Sequence, residues 1–151
     1  MEYREFGGVY YIRMDRGDEI INGLKRVFSE NSMDSAVFSG IGGLKEAVLM
    51  TFIPEEGRFE NEHFKGMLEL VSMNGNIIKD EKGGIFHHTH SVISYVSNGQ
   101  HCVAAGHTGS LTVLYTAEIE MRPVKGGKIV RKPDPETGTG FWSFSDKQNQ
   151  K

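Results

Sequence analysis

The sequence predicts an α+β fold, a mostly antiparallel β-sheet carrying one main amphipathic helix and flanking turns. Three observations lead there. Tyr, Ile, Val and Thr recur in runs of period two, the pattern of half-buried strands, most plainly over residues 110–121. Residues 18–30 carry instead the 3.6-residue period of a surface helix. Nineteen glycines stand among 151 residues, well above the usual share of about 7%, and mark many turns and close backbone approaches.

In chain order, residues 9–14 form the first predicted strand, closed by Asp15, Arg16 and Gly17. Ile20, Ile21, Leu24, Val27 and Phe28 then fall on one stripe of a helix, with Asn22, Lys25, Arg26 and Glu30 opposite. Asp18 or Gly17 begins this helix, where an acidic side chain suits the positive end of the dipole. Residues 35–39 resume a strand that runs into Gly40, Ile41, Gly42 and Gly43. A glycine loop that cradles phosphate opens a helix and, for nucleotides, carries a Lys-Ser/Thr pair. Here a strand over 46–53 follows, so the glycines read as a tight bend or close-packed crossing. Residues 54–62 are polar and acidic, an exposed hairpin or loop. Residues 64–73 form a further strand, with Asn74, Gly75 and Asn76 as its end or a bulge. Residues 79–84 form a mobile, charged loop placed to cover what comes next.

What comes next is the histidine-rich stretch at residues 87–90. On an extended strand, side chains two apart share a face, with Cα atoms about 6.5 Å apart, so His88 and His90 point together and His87 points away. Two imidazoles placed so can close on one ion. Asn98 and Gly99 tolerate the positive φ of a two-residue hairpin turn, which returns the chain as an antiparallel neighbour and makes His107 the candidate third ligand. Ala104, Ala105 and Gly106 are small enough to leave room for an ion. His87 and His101 read as packing or solvent-facing residues.

Beyond His107 the alternation over 110–121 predicts a long strand. Residues 122–132 then hold five basic residues and no acid, and an aromatic group follows at Phe141, Trp142 and Phe144. The basic run reads as a solvated tail rather than a DNA arm, and the aromatics as a contact surface on this subunit or a neighbour. The expected organisation is a single domain over 1–151, with its core at about 9–121 and a basic, aromatic extension at 122–151. A net charge of -3 argues against a strong nonspecific nucleic-acid binder. The lone Cys102, read as a small buried strand residue, leaves no internal disulfide and fits a reducing cytoplasm. No apolar run of signal-peptide or membrane-span character occurs, so a soluble, cytoplasmic protein is expected.

Taken in order, Gly17 to Ile20, Phe38 to Leu44, Gly66 to Asn76, His88-Thr89-His90 and Ala105-Gly106-His107 resemble the plants-and-prokaryotes-conserved (PPC) domain, which in plants accompanies AT-hook DNA-binding proteins. The resemblance spans about residues 9–121. It implies an antiparallel sheet with helical cover, a homotrimer, and a metal ion, zinc, on His88, His90 and His107. It also implies a fold similar to acetolactate decarboxylase, whose zinc is held by histidines. The Arg-Gly-Arg-Pro core by which the plant proteins enter the minor groove is absent from this chain.

Three functional expectations follow. The chain is a metal-binding, DNA-associated or regulatory module, a metal-dependent lyase or hydrolase acting on a small oxo-acid or ester, or a trimer in which the ion is a structural clamp. Three imidazoles leave a fourth zinc position open, as catalytic sites do. Zinc, nickel, copper and iron all suit imidazole, and zinc is the default. Glu69, Glu118 and Glu120 are the carboxylates available by type as a general base. A small-molecule ligand is compatible with each reading, and no membrane partner is expected.

Overall fold

The structure, a computed structural model, describes residues 1–80, 82–136 and 139–146. Its elements are β1 (Glu2–Phe6), β2 (Val9–Asp15), α1 (Ile20–Glu30), β3 (Ser35–Ile53), β4 (Arg58–Lys79), β5 (Ile85–Ser97), β6 (Gln100–Pro123), β7 (Gly127–Pro133) and β8 (Gly140–Asp146). The antiparallel sheet and single helix expected from the sequence are both present among the described residues, with strand so dominant that this is largely a β fold. The main sheet runs β1-β2-β6-β3-β4-β5, and β5 pairs back onto β6. Strands β6, β3, β4 and β5 therefore close a small antiparallel ring, and β7 with β8 forms a separate two-stranded ribbon.

Closure explains the glycines. Two long strands can cross at close range only where side chains are missing, and a Cβ on Gly42 would lie 2.7 Å from the Thr116 carbonyl oxygen of β6. The bend or close-packed crossing read at residues 40–43 is this approach, with register shifts on either side. Strand β4 behaves otherwise than expected. It continues through Asn74, Gly75 and Asn76 to Lys79 instead of ending there, because a bare Gly75 lets it pass the His88 carbonyl of β5. The sequence reading also missed β1, an exposed edge strand paired only with β2.

The helix lays Ile20, Ile21, Leu24, Val27 and Phe28 on the sheet, the five residues of its apolar stripe. Its cap is Glu19 rather than Asp18 or Gly17. The longer carboxylate accepts from the Ile21 and Asn22 amides and also from Leu111 N on β6, tying the helix start to the sheet. Asp18 turns back to accept from Asp15 N. The core gathers Ile20, Leu24, Val27 and Phe28 of the helix with Leu44, Leu68, Leu70, Met73, Ile77, Ile93, Leu111, Val113, Ile119 and Met121, all buried. Along β6 the alternation holds except at Tyr115, which is 66% exposed, because β6 takes four residues from Val113 to Ala117 where β3 takes two from Leu44 to Gly42. Among the described residues no helix is long and apolar enough to cross a membrane.

Candidate metal centre

The site is set by one turn. Asn98 and Gly99 both have positive φ, 50° and 75°, and pair Ser97 with Gln100, the geometry of a two-residue hairpin. Counting outward from that pair, His90 falls directly opposite His107. His88, two residues earlier on β5, has passed the end of the β6 pairing and lies opposite Asn76 of β4. The three rings meet on one side of the strands.

Their candidate ligand nitrogens all lie within 4.8 Å of one another. The His88 and His90 Nε2 atoms are 3.2 Å apart, close to the ~3.4 Å between nitrogens of a tetrahedral zinc at 2.0–2.1 Å bond length. Ring centroids are separated by 5.2 Å for His88 and His90, 5.0 Å for His88 and His107, and 4.2 Å for His90 and His107. Small side-chain rotations would aim all three at a common centre, so the donor set fits a divalent ion. Among the described residues this is the one such group of His, Cys, Asp and Glu.

The electrostatics favour neutral rings at His88 and His107. Loss of surrounding water lowers the pKa of His88, helped by the charge of His90 and Arg131. Loss of water also lowers that of His107, with His90 and His88 acting the same way and a hydrogen bond to the Thr89 backbone acting against them. The Phe59 ring meets His107 edge-on at 5.1 Å.

The remaining histidines stand apart from the cluster. His87 is half-buried, contacts the Thr89 hydroxyl at 3.1 Å, and is held below the ordinary imidazole range, chiefly by burial and then by Lys25. His101 and His63 are exposed. Gly106 is small for a reason the sequence reading did not foresee: a Cβ there would lie 2.8 Å from the Met50 carbonyl oxygen. Cys102 is half-buried and free, more open than expected. The buried Thr108, beside His107, pairs with the Ser91 hydroxyl at 2.7 Å.

A cavity of about 650 Å³ opens against the cluster, and His88 and His107 are among its walls. The sequence reading put a mobile charged loop over the site. Among the described residues of that segment, the Asp80 carboxylate accepts from Lys82 N and Gly84 N, and none lines the cavity. The cover comes from the β7-β8 ribbon, which brings Arg131, Phe141 and Trp142 to the cavity. The second half of the basic run thus becomes a strand, not a tail, because its aromatic partner segment supplies a second strand. None of Glu69, Glu118 and Glu120 lines this cavity. Glu69 is exposed opposite Ser94, while Glu118 and Glu120 border a different concavity near β1.

A family model for the Plants and Prokaryotes Conserved (PCC) domain matches residues 1–125. No curated protein matches the sequence significantly. Among solved structures, a PPC protein of Pyrococcus horikoshii is 30% identical with a TM-score of 0.78, each chain covered to 94%. A protein of Archaeoglobus fulgidus described as metal-containing is 25% identical with a TM-score of 0.78, over 94% of this chain and 96% of that one. A candidate DNA-binding protein of Ralstonia eutropha is 25% identical with a TM-score of 0.82, over 93% and 94%. With the family model matched over most of its length and the same fold in these relatives, this chain belongs to the Plants and Prokaryotes Conserved domain family.

Proposed function

We propose that this chain is a metal-binding member of the family, with His88, His90 and His107 holding one divalent ion, zinc first, in a homotrimeric DNA-associated or regulatory module. The observation that carries the reading is the convergence of three ring nitrogens from two neighbouring strands within 4.8 Å. Three imidazoles packed so closely repel one another once protonated, and a shared cation turns the crowding into binding. A bound ion would supply Lewis-acid polarisation of an oxygen donor at the position that three imidazoles leave open. The chain itself screens one side of the site with the β7-β8 ribbon. The description of the Archaeoglobus relative as metal-containing supports the reading.

Self-association is supported by the outer face of the ring. Ile41, Met67, Val71 and Tyr115 are all large, apolar or aromatic, and exposed there, an uncommon concentration for a surface that stays in water. Association with DNA is supported by the description of the Ralstonia relative. Against it, the basic residues of 122–132 do not act together: Arg122 is paired with Glu120 at 2.6 Å, and Arg131 turns to the cavity.

Zinc content and chelator competition on the wild type and His90→Ala test the metal reading. Wild-type protein should carry stoichiometric zinc and the variant almost none, whereas equal zinc in both ends the proposal. A mobility-shift titration across salt tests the DNA association, and binding absent at about 150 mM salt removes it. The cavity beside the cluster favours a second reading, a metal-dependent lyase or hydrolase of a small oxo-acid or ester. A substrate screen comparing zinc-loaded wild type with His88→Ala decides it, equal rates in both ruling the enzyme out.

A further inference from the structure

The cavity has a roof that the metal reading does not use. It comes from the β7-β8 ribbon, which lies beyond the residues the family model matches. At about 650 Å³ the cavity falls within the size range of small-molecule sites. Its walls are unequal in character. Phe59, Phe86, Phe141 and Trp142 supply flat apolar surface, Arg131 supplies a positive charge, and no acidic residue lines it among the described residues. In a chain of net charge -3, such a concavity selects for anions.

The position of Arg131 is built into the ribbon. Gly140 on β8 carries no Cβ, and one placed there would lie 2.7 Å from Arg131 Cδ, so the arginine stem crosses the ribbon over the glycine. Its guanidinium carbon then lies 5.5 Å from the centre of the Phe86 ring, a cation-π distance. A planar guanidinium over an aromatic floor presents its paired N–H groups at the geometry a carboxylate accepts. A nucleic-acid backbone fits poorly, because the site is concave and holds a single permanently charged cation among the described residues.

We propose that this cavity binds a small organic carboxylate with a flat apolar body, the carboxylate taking paired hydrogen bonds from Arg131 beside the histidine-held ion and the body lying against Trp142 and Phe86. This deepens the metal reading and rests on it. The occupant is a carboxylate rather than a neutral aromatic because Arg131 adds a permanent positive charge to aromatic walls that carry no acidic residue among the described residues. Gly140 is a positioning residue, acting through Arg131.

Trp142 is the single tryptophan of the chain, so its fluorescence reports from inside the cavity. Zinc-loaded wild-type protein titrated with benzoate should show saturable quenching, and titration with benzamide should show none. Arg131→Gln should weaken benzoate binding by about tenfold or more while keeping its zinc, since it removes one charge-assisted pair. Gly140→Ala, which displaces the arginine without removing its charge, should weaken it too. Four outcomes overturn the inference and leave the metal reading standing: no saturable quenching in protein carrying stoichiometric zinc, equal affinity for benzoate and benzamide, undiminished affinity in Arg131→Gln, or tighter binding of inorganic phosphate than of benzoate. Wild-type protein that takes up no zinc overturns both.

Discussion

At the scale of single residues, the decisive question is which protons the three imidazoles carry. His88 and His107 are held below the ordinary imidazole range, first by lost hydration and then by their charged neighbours. The folded chain therefore resists protonation that the unfolded chain accepts. That contribution to stability is present above the unfolded pKa of about 6.5 and is lost as the pH falls through it toward the lower folded values. Metal-free protein should accordingly melt at a lower temperature at pH 5 than at pH 7.5. Ion binding has the same sign, since protons compete for the same nitrogens. Zinc affinity by chelator competition should be steady above pH 7 and fall steeply below about pH 6, and an affinity unchanged from pH 5 to 8 would contradict histidine ligation. Removing one ring altogether should do more than any neighbour, so His90→Ala is expected to lose upwards of about a hundredfold in zinc affinity. The residues of this cluster were legible because the two signals involved are local: a period of two puts His88 and His90 on one face, and the Asn98-Gly99 turn returns His107 to it.

Elements answer to different forces. The helix was legible to the residue on its buried face, because a 3.6-residue period is written within eleven consecutive positions. Its cap was not, since Glu19 was selected partly by a distant amide, Leu111 N. Glu19→Ala should cost about 1 kcal/mol, within the usual range for a lost cap, read as a lower urea midpoint with an unchanged slope. The lengths of the strands were misread wherever a glycine stood for a neighbour rather than a turn. Gly75 is such a case: a Cβ there would lie 2.6 Å from the His88 carbonyl oxygen and from the Phe38 ring. Gly75→Ala should destabilise the protein by about 1–3 kcal/mol as an overpacked site and disturb zinc binding through the backbone of His88. Full stability in that variant would refute the close approach. The β7-β8 ribbon was hidden for a related reason. Its two halves are consecutive in the chain, but each reads alone as a basic or aromatic tail segment, and only their pairing makes a roof.

Over the whole molecule, closure of β6, β3, β4 and β5 into a ring buries one face of every long strand and leaves the outer face to be managed. The outer cluster around Tyr115 is the face at which self-association is proposed. Tyr115→Glu should convert the proposed trimer to smaller species in sedimentation velocity, and a wild type that sediments as a monomer would overturn that proposal. The ring also brings β5 and β6 together at one mouth, where the histidine cluster sits beneath the ribbon. X-ray absorption at the zinc edge of loaded protein tests this central claim most directly. A first shell of four nitrogen or oxygen donors near the 2.0–2.1 Å expected of such bonds, with the outer-shell ring scattering of three imidazoles, is the predicted result. Sulfur scattering from Cys102, or a shell of oxygen alone, would contradict it.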